Sequence, residues 1–244
     1  MAQEIDFSAP QIRLSVEGTP LGEGGTLKLA GDQAHYLANV MRLKAGAEVT
    51  LFNGTDGAFA ARLEGVSRKR VEVVIGQCHG VPDNLPDLWL LFAPIKKART
   101  DFLVEKATEI GVGVLQPVLT RFTQTRRFNV ERARAQVVEA VEQCHGMSLP
   151  EVADLRPLDD VLAGWPEGRT LYFCDERRDA TALAEAAATG PAAILIGPEG
   201  GFSDAEREKL KALPFTRPVS LGPRILRAET AAVAALSQYH SRRS

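Results

Sequence analysis

Residues 192–213, AAILIGPEGGFSDAEREKLKAL, pass from five apolar residues through a glycine-bearing turn into a charged amphipathic segment. A short, wholly apolar run is what a strand covered on both faces looks like, and such strands belong to parallel sheets. Ser203, followed three residues later by Glu206, has the spacing of a capping box and predicts a helix starting at Asp204. The turn between them lacks the GxxxxGK[ST] spacing and its lysine, and it lacks GxGxxG. It reads either as a tight strand-to-helix connection or as a place where backbone approaches a ligand.

The same rhythm extends outward in both directions. Toward the N-terminus come the apolar runs WLLFAPI (89–95), VLQPVLT (114–120) and LYFC (171–174). Helical patterns over 99–111, 129–143 and 181–188 alternate with them. Toward the C-terminus PVSL (218–221) precedes the Ala-rich ETAAVAALSQYH (229–240). Strand and helix in alternation predict an α/β domain with a parallel sheet. Ligands in such sheets sit beyond the carboxyl ends of the strands, so the loops after AAILI and PVSL are where chemistry is expected. The second of them, LGPRILRAETAA (221–232), mixes Leu221, Ile225 and Leu226 with Arg224, Arg227 and Glu229. It suits a flat apolar object with polar edges, such as an adenine ring. It would equally suit a loop folded onto its own sheet, with Glu229 as a first-turn acid favoured by the helix dipole.

The first 77 residues follow another pattern. EVTLF (48–52), AFAARLEGV (58–66) and RVEVVIGQ (70–77) flank the turn NGTDG (53–57), and IRLSV (12–16) and GTLKLA (25–30) read as further short strands. This predicts a small antiparallel sheet or barrel. CHGVPDNLPD (78–87), with two prolines and a glycine, reads as a linker. The expected division is therefore 1–77, a linker at 78–86, and an α/β domain at 87–244.

With 45% hydrophobic and 25% charged residues, the 244-residue chain is neither disordered nor fibrous. No apolar run approaches the ~18 residues of a membrane span. The stretch MAQEIDFSAP carries acids where a signal peptide has a basic region, so the expected compartment is the cytoplasm. Three cysteines agree with a reducing interior. QCHG occurs at 77–80 and 143–146, but adjacent Cys-His is not a chelating spacing, and no metal site is expected. The net charge of −2 conceals an uneven distribution. Residues 96–134 hold nine basic and four acidic side chains, whereas 135–190 hold four and eleven. Fields act within about a Debye length, ~8–10 Å, so the basic block counts locally, as a solvated helix face or as a nucleic-acid contact.

GPEGGFS (197–203) in tandem with LGPRILRAETAA (221–232) resembles the signature of the ribosomal RNA small subunit methyltransferase E family, in the SPOUT superfamily. KKARTDFLVEKATEIGV (96–112), PVLTRFTQTR (117–126), EAVEQC (139–144), LPEV (149–152) and AHYLANVMRLKAGAEVTLFNG (34–54) are similar to further segments of that family. The resemblance implies a PUA-like β-barrel RNA-binding domain at 1–77. It also implies a SPOUT α/β domain with a trefoil knot at 87–244, a homodimer, and methylation of uridine N3 in 16S ribosomal RNA with S-adenosyl-L-methionine. It places the cofactor on Gly197, Glu199, Gly200, Leu221, Gly222, Ile225 and Leu226. One departure is HGMSL (145–149), where the family carries one or two arginines.

The chemistry so implied needs the N3 proton removed or the resulting anion stabilised. Arg227 is expected to donate hydrogen bonds to O2 or O4, where that charge collects. Glu229 is expected either to accept the proton or to orient Arg227. Arg42, Lys97, Arg99 and Arg121 are expected on RNA phosphates. A SPOUT enzyme acting on transfer RNA, and an RNA-binding assembly protein without catalysis, are the alternatives. The latter would not need the complete LGPRILRAET loop.

Overall fold

A computed structural model of the protein describes residues 9–82, 84–175 and 180–241; most of the acidic N-terminal stretch lies outside them. The chain divides into two compact units, one made of residues up to Asn84 together with Val141–Leu149, the other of Leu85–Ala140 and Pro150–Ser244.

The first unit holds β1 (Arg13–Ser15), β2 (Thr26–Ala30), α1 (Gly31–His35), β3 (Glu48–Phe52), β4 (Ala58–Val66) and β5 (Arg70–Gly80). The sheet order is β1-β3-β4-β5-β2, antiparallel except for the parallel pair β1–β3. Side chains alternate as a half-buried strand requires. Val71, Val73 and Ile75 of β5 pack with Ala61 and Leu63 of β4, while Arg62 and Glu72 point to solvent. β5 runs on to Gly80, into the stretch expected as linker, because its end still pairs with Ala58 and Phe59. α1 continues into a π turn at Tyr36–Val40, where Met41 N–H donates to Tyr36 O at 2.9 Å.

The NGTDG turn is tied down by side chains. Asn53 Oδ1 accepts from the N–H groups of Thr55 and Asp56, and Asp56 accepts from Leu21 N–H and Asn53 Nδ2. These donors hold the Asp56 carboxyl below its ordinary pKa. Gly57 has φ +114°, and a Cβ there would meet Gly80 O at 2.3 Å, so only glycine closes this turn.

Val141–Leu149 explains the departure at HGMSL. Met147 is 7% exposed and lies against Gly80, Arg13 Nη2 donates to Gly146 O at 2.7 Å, and Glu142 Oε1 accepts from Ser15 N–H. The methionine is a packing residue of the first unit. His145 beside it has φ +61°, a conformation that Asn adopts more readily. Burial, and secondarily the Arg13 charge, push its imidazole below the ordinary pKa of 6.5. The unfolded chain then binds the proton more readily than the folded one. Stability is full above pH ~6.5 and falls as the medium is acidified through that value. His145→Asn is expected to narrow the difference in Tm between pH 7.5 and 5.5, measured by circular dichroism. An unchanged difference would locate the acid sensitivity elsewhere.

The second unit holds β6 (Leu88–Phe92), α2 (Lys97–Ile110), β7 (Val114–Leu119), α3 (Val130–Gln143), β8 (Glu151–Val152), β9 (Arg156–Pro157), α4 (Leu158–Ala163), β10 (Thr170–Cys174), α5 (Leu183–Ala186), β11 (Ala192–Ile196), α6 (Asp204–Ala212), β12 (Thr216–Val219) and α7 (Ala228–His240). The last turn of α3 is counted with the first unit. The strands are parallel in the order β12-β10-β11-β6-β7-β8, with β9 beside β7. All five residues of β11 are buried. Leu91, Phe173, Leu195 and Phe202 share one core with α4 and α6. The helix expected over 181–188 is a single turn. Ala182 is drawn into a bridge with Ser220, and Ala187 is extended. No helix among the described residues is long and apolar enough to cross a membrane.

Candidate active site

Three loops leave the carboxyl ends of β10, β11 and β12 on the same side of the sheet and enclose a cavity of about 520 Å³. The loop after β11 is shaped by Phe202, whose ring folds back under the turn at 4% exposure and sits edge-on to Phe173 with centroids 5.0 Å apart. A Cβ on Gly197 would come within 2.5 Å of that ring, so the turn needs glycine there for packing. The capping box forms as predicted. Ser203 Oγ accepts from Glu206 N–H, and Glu206 Oε2 accepts from Ser203 N–H at 2.8 Å. Glu206 Oε1 also accepts from Arg121 N–H at 2.7 Å.

The loop after β12 contributes Leu221, Gly222, Ile225, Leu226 and Arg227. Ile225 is 73% exposed, an unusual position for a large aliphatic side chain and one that suits an apolar ligand face. Arg227 is the exposed N-cap residue of α7, extended at φ −67° and ψ 154°. Gly197, Glu199, Gly200, Leu221, Gly222, Ile225 and Leu226 all line this one cavity, together with Arg227.

Arg99 lies in the cavity wall. Its Nη1 donates to Glu199 Oε1, and its Nε is 3.6 Å from Glu229 Oε1, so one guanidinium joins the two glycine-bearing loops. The cation beside Glu229 is thus Arg99, whereas the sequence led to Glu229 either accepting the N3 proton or orienting Arg227. Glu229 is 13% exposed, and its Oε2 is buried with no hydrogen-bond partner among the described residues. Arg99 is two residues from Lys97 on α2, and the helical rotation of ~200° separates their directions. Lys97 lines a different cavity. Arg121 lies in a shallow cleft with Phe122 and Gly200, and Arg42 in the first unit has φ +53°.

Sequence reasoning missed Asp175, directly after β10. It pairs with Arg207 of α6 at 5% and 4% side-chain exposure and lines the cavity. Arg207 Nε donates to Phe202 O at 3.1 Å, and Lys211 Nζ is 3.5 Å from Asp175 Oδ2. A polar residue ending a wholly apolar strand was the available signal. Cys174 beside it is half-buried in the cavity wall, and desolvation pushes its thiol up to about 12, which favours the neutral form. Among the described residues no group of three or more His, Cys, Asp or Glu is arranged to hold a metal ion.

The comparisons with known proteins point one way. An RNA methyltransferase domain profile matches residues 82–240, and an RNA methyltransferase PUA domain profile matches 29–76. Ribosomal RNA small subunit methyltransferase E of Rickettsia conorii is 32% identical over 89% of this chain and 91% of its own length. The protein of that name from Synechocystis is 33% identical over 88% and 73%. The crystal structure of ribosomal RNA small subunit methyltransferase E from Neisseria gonorrhoeae, bound to S-adenosyl methionine, superposes with a TM-score of 0.86 at 27% identity. It covers 96% of this chain and 97% of that one.

Proposed function

The chain belongs to the ribosomal RNA small subunit methyltransferase E family, and on that premise we propose that it methylates N3 of a uridine in 16S ribosomal RNA with S-adenosyl-L-methionine. The observation that carries this reading is the convergence of the loops after β11 and β12 on one cavity whose mouth bears Arg227. The residues suit the cofactor. The volume of about 520 Å³ lies within the ~300–1,000 Å³ of ligand clefts. Leu221, Ile225 and Leu226 offer an apolar wall to a base, and Glu199 and Asp175 offer carboxylates to cationic groups. When bound, the cofactor supplies an electrophilic methyl group, and the protein has to align a nucleophile with it.

Uridine N3 carries a proton and becomes nucleophilic as that proton leaves. Arg227, exposed at the cavity mouth, donates to O2 or O4, where the negative charge accumulates. Glu229 has one oxygen buried and the other turned to Arg99, so it acts as a positioning residue that fixes Arg99 against Glu199. The guanidinium thereby holds both loops in register. Arg42, Lys97 and Arg121 remain the residues for RNA phosphates, which offset the few kcal/mol needed to turn a base out of its stack. Homodimeric assembly and a cytoplasmic location belong to the same reading, and sedimentation of the purified chain tests the former.

The test is transfer of a labelled methyl group to small subunits from a strain lacking the modification, followed by nucleoside chromatography. Label is expected in 3-methyluridine. Label in another nucleoside would reject the N3 assignment, and transfer only to transfer RNA would reject the substrate.

A further inference from the structure

A second cavity, about 740 Å³ in volume, lies between the first turns of α2 and α3. Pro94, Ile95, Ala133 and the half-buried Phe128 give it an apolar floor, and Phe128 is held edge-on by Phe92 with centroids 5.8 Å apart. Its rim is cationic, with Lys97, Arg126, Arg127 and Arg132. The one acid in the lining, Asp101, is taken by Arg132 at 2.5 Å. Arg126 and Arg127 are exposed and form no ion pair among the described residues. The first turn of α2 has no acid and no side-chain cap, so its N–H groups add to the positive character of the rim.

Clustered cations repel one another, and the arrangement is stabilised when an anion enters. An anion alone would not need the floor. A half-buried aromatic ring beside arginines suits an unstacked nucleotide, with the base on the ring and the phosphate on the guanidinium groups. We propose that this cavity holds one unstacked nucleotide of the RNA substrate, with its phosphate on Arg126 and Arg127 and its base against Phe128 and Pro94. The inference rests on the RNA reading above. The first turn of α2 borders both sites, because Lys97 and Thr100 line this cavity while Arg99 lines the active one. A strand anchored here is thus held beside the turned-out uridine.

The test is equilibrium binding of the full-length protein to unmodified small subunits over a range of salt concentrations. The double variant R126E/R127E is expected to bind at least tenfold more weakly. Its plot of log affinity against log salt should be flatter by roughly 1–2 units, at ~0.7 per lost single-strand phosphate contact. Its affinity for S-adenosylmethionine should be unchanged. R134E serves as the control of equal sign, because Arg134 pairs with Glu131 and lies outside the cavity lining. Unchanged binding by R126E/R127E, equal weakening by R134E, or no binding by the parent would each overturn the proposal. Arginine-dependent binding of free uridine monophosphate with subunit binding intact would also overturn it, assigning the cavity to a small metabolite. The expected weakening in a parent that transfers no methyl group would sink the methylation reading and leave this site standing.

Discussion

Arg227→Ala is expected to lower kcat about 10²- to 10³-fold, the usual cost of removing one donor to a developing oxyanion, while S-adenosylmethionine affinity is retained. The separation follows from where the residue sits. Arg227 is exposed at the start of α7 and reaches the cavity mouth, whereas the cavity walls are built by the glycine-bearing turns and by Leu221, Ile225 and Leu226. Main-chain contacts survive truncation of a neighbouring side chain. Stability should move by no more than ~0.5 kcal/mol, because the side chain makes no cap hydrogen bond. Arg227→Lys should recover only part of the rate, since an ammonium keeps the charge and loses the planar fork. Isothermal titration with the cofactor and single-turnover methyl transfer provide the two readouts. Equal loss in both would mean that Arg227 serves the cofactor and not the developing anion.

The wholly apolar runs at 171–174 and 192–196 and the box at Ser203–Glu206 were legible because each reports its own burial or its own hydrogen bonds. β11, β10 and α6 accordingly form where the pattern places them. β8 and β9, two residues each, are too short to show a period, and they exist because β7 offers them a ladder. α4 did carry a signal, Asp159 and Asp160 in its first turn, within a segment that otherwise reads as acidic and solvated. The HGMSL loop read as a loss of phosphate-binding arginines. Its partners, Gly80 and Arg13, lie more than 60 residues away in sequence, so no local pattern could reveal that Met147 is a core residue.

The same limit applies within the site. The basic block at 96–134 was visible as a charge excess, but a charge count assigns all its members to one partner. The structure divides them. Arg99 is shared between Glu199 and Glu229, and Arg132 pairs with Asp101. Lys96, Lys97, Arg121, Arg126 and Arg127 are left with no ion pair among the described residues, and of these Lys97, Arg126 and Arg127 line one cavity. Which cation is uncompensated depends on contacts between distant segments, and the uncompensated ones are those that can bind an external anion.

Asp175→Asn is expected to destabilise the protein by about 3–5 kcal/mol, toward the lower end because the amide still accepts a hydrogen bond. For a unit of this size 3–5 kcal/mol is a fall in Tm of roughly 6–20 °C, and the lower end of roughly 6–12 °C is expected. The cause is Arg207. At 4% side-chain exposure it cannot swing into water, so losing the carboxylate takes away the anion against which its buried charge sits. Lys211, at 39% exposure, can move to solvent when Asp175 is neutralised. Arg207→Met added to Asp175→Asn should therefore restore much of the Tm, since removing both charges avoids the desolvation penalty that removing one exposes. Cofactor affinity should not return with it. Asp175 lines the active cavity, and no other change in the double variant replaces its negative charge there. Thermal unfolding and cofactor titration on the two variants separate these effects. If the double variant recovers both stability and affinity, the carboxylate only supports the loop through Arg207. If stability alone recovers, Asp175 also contributes its charge to the site.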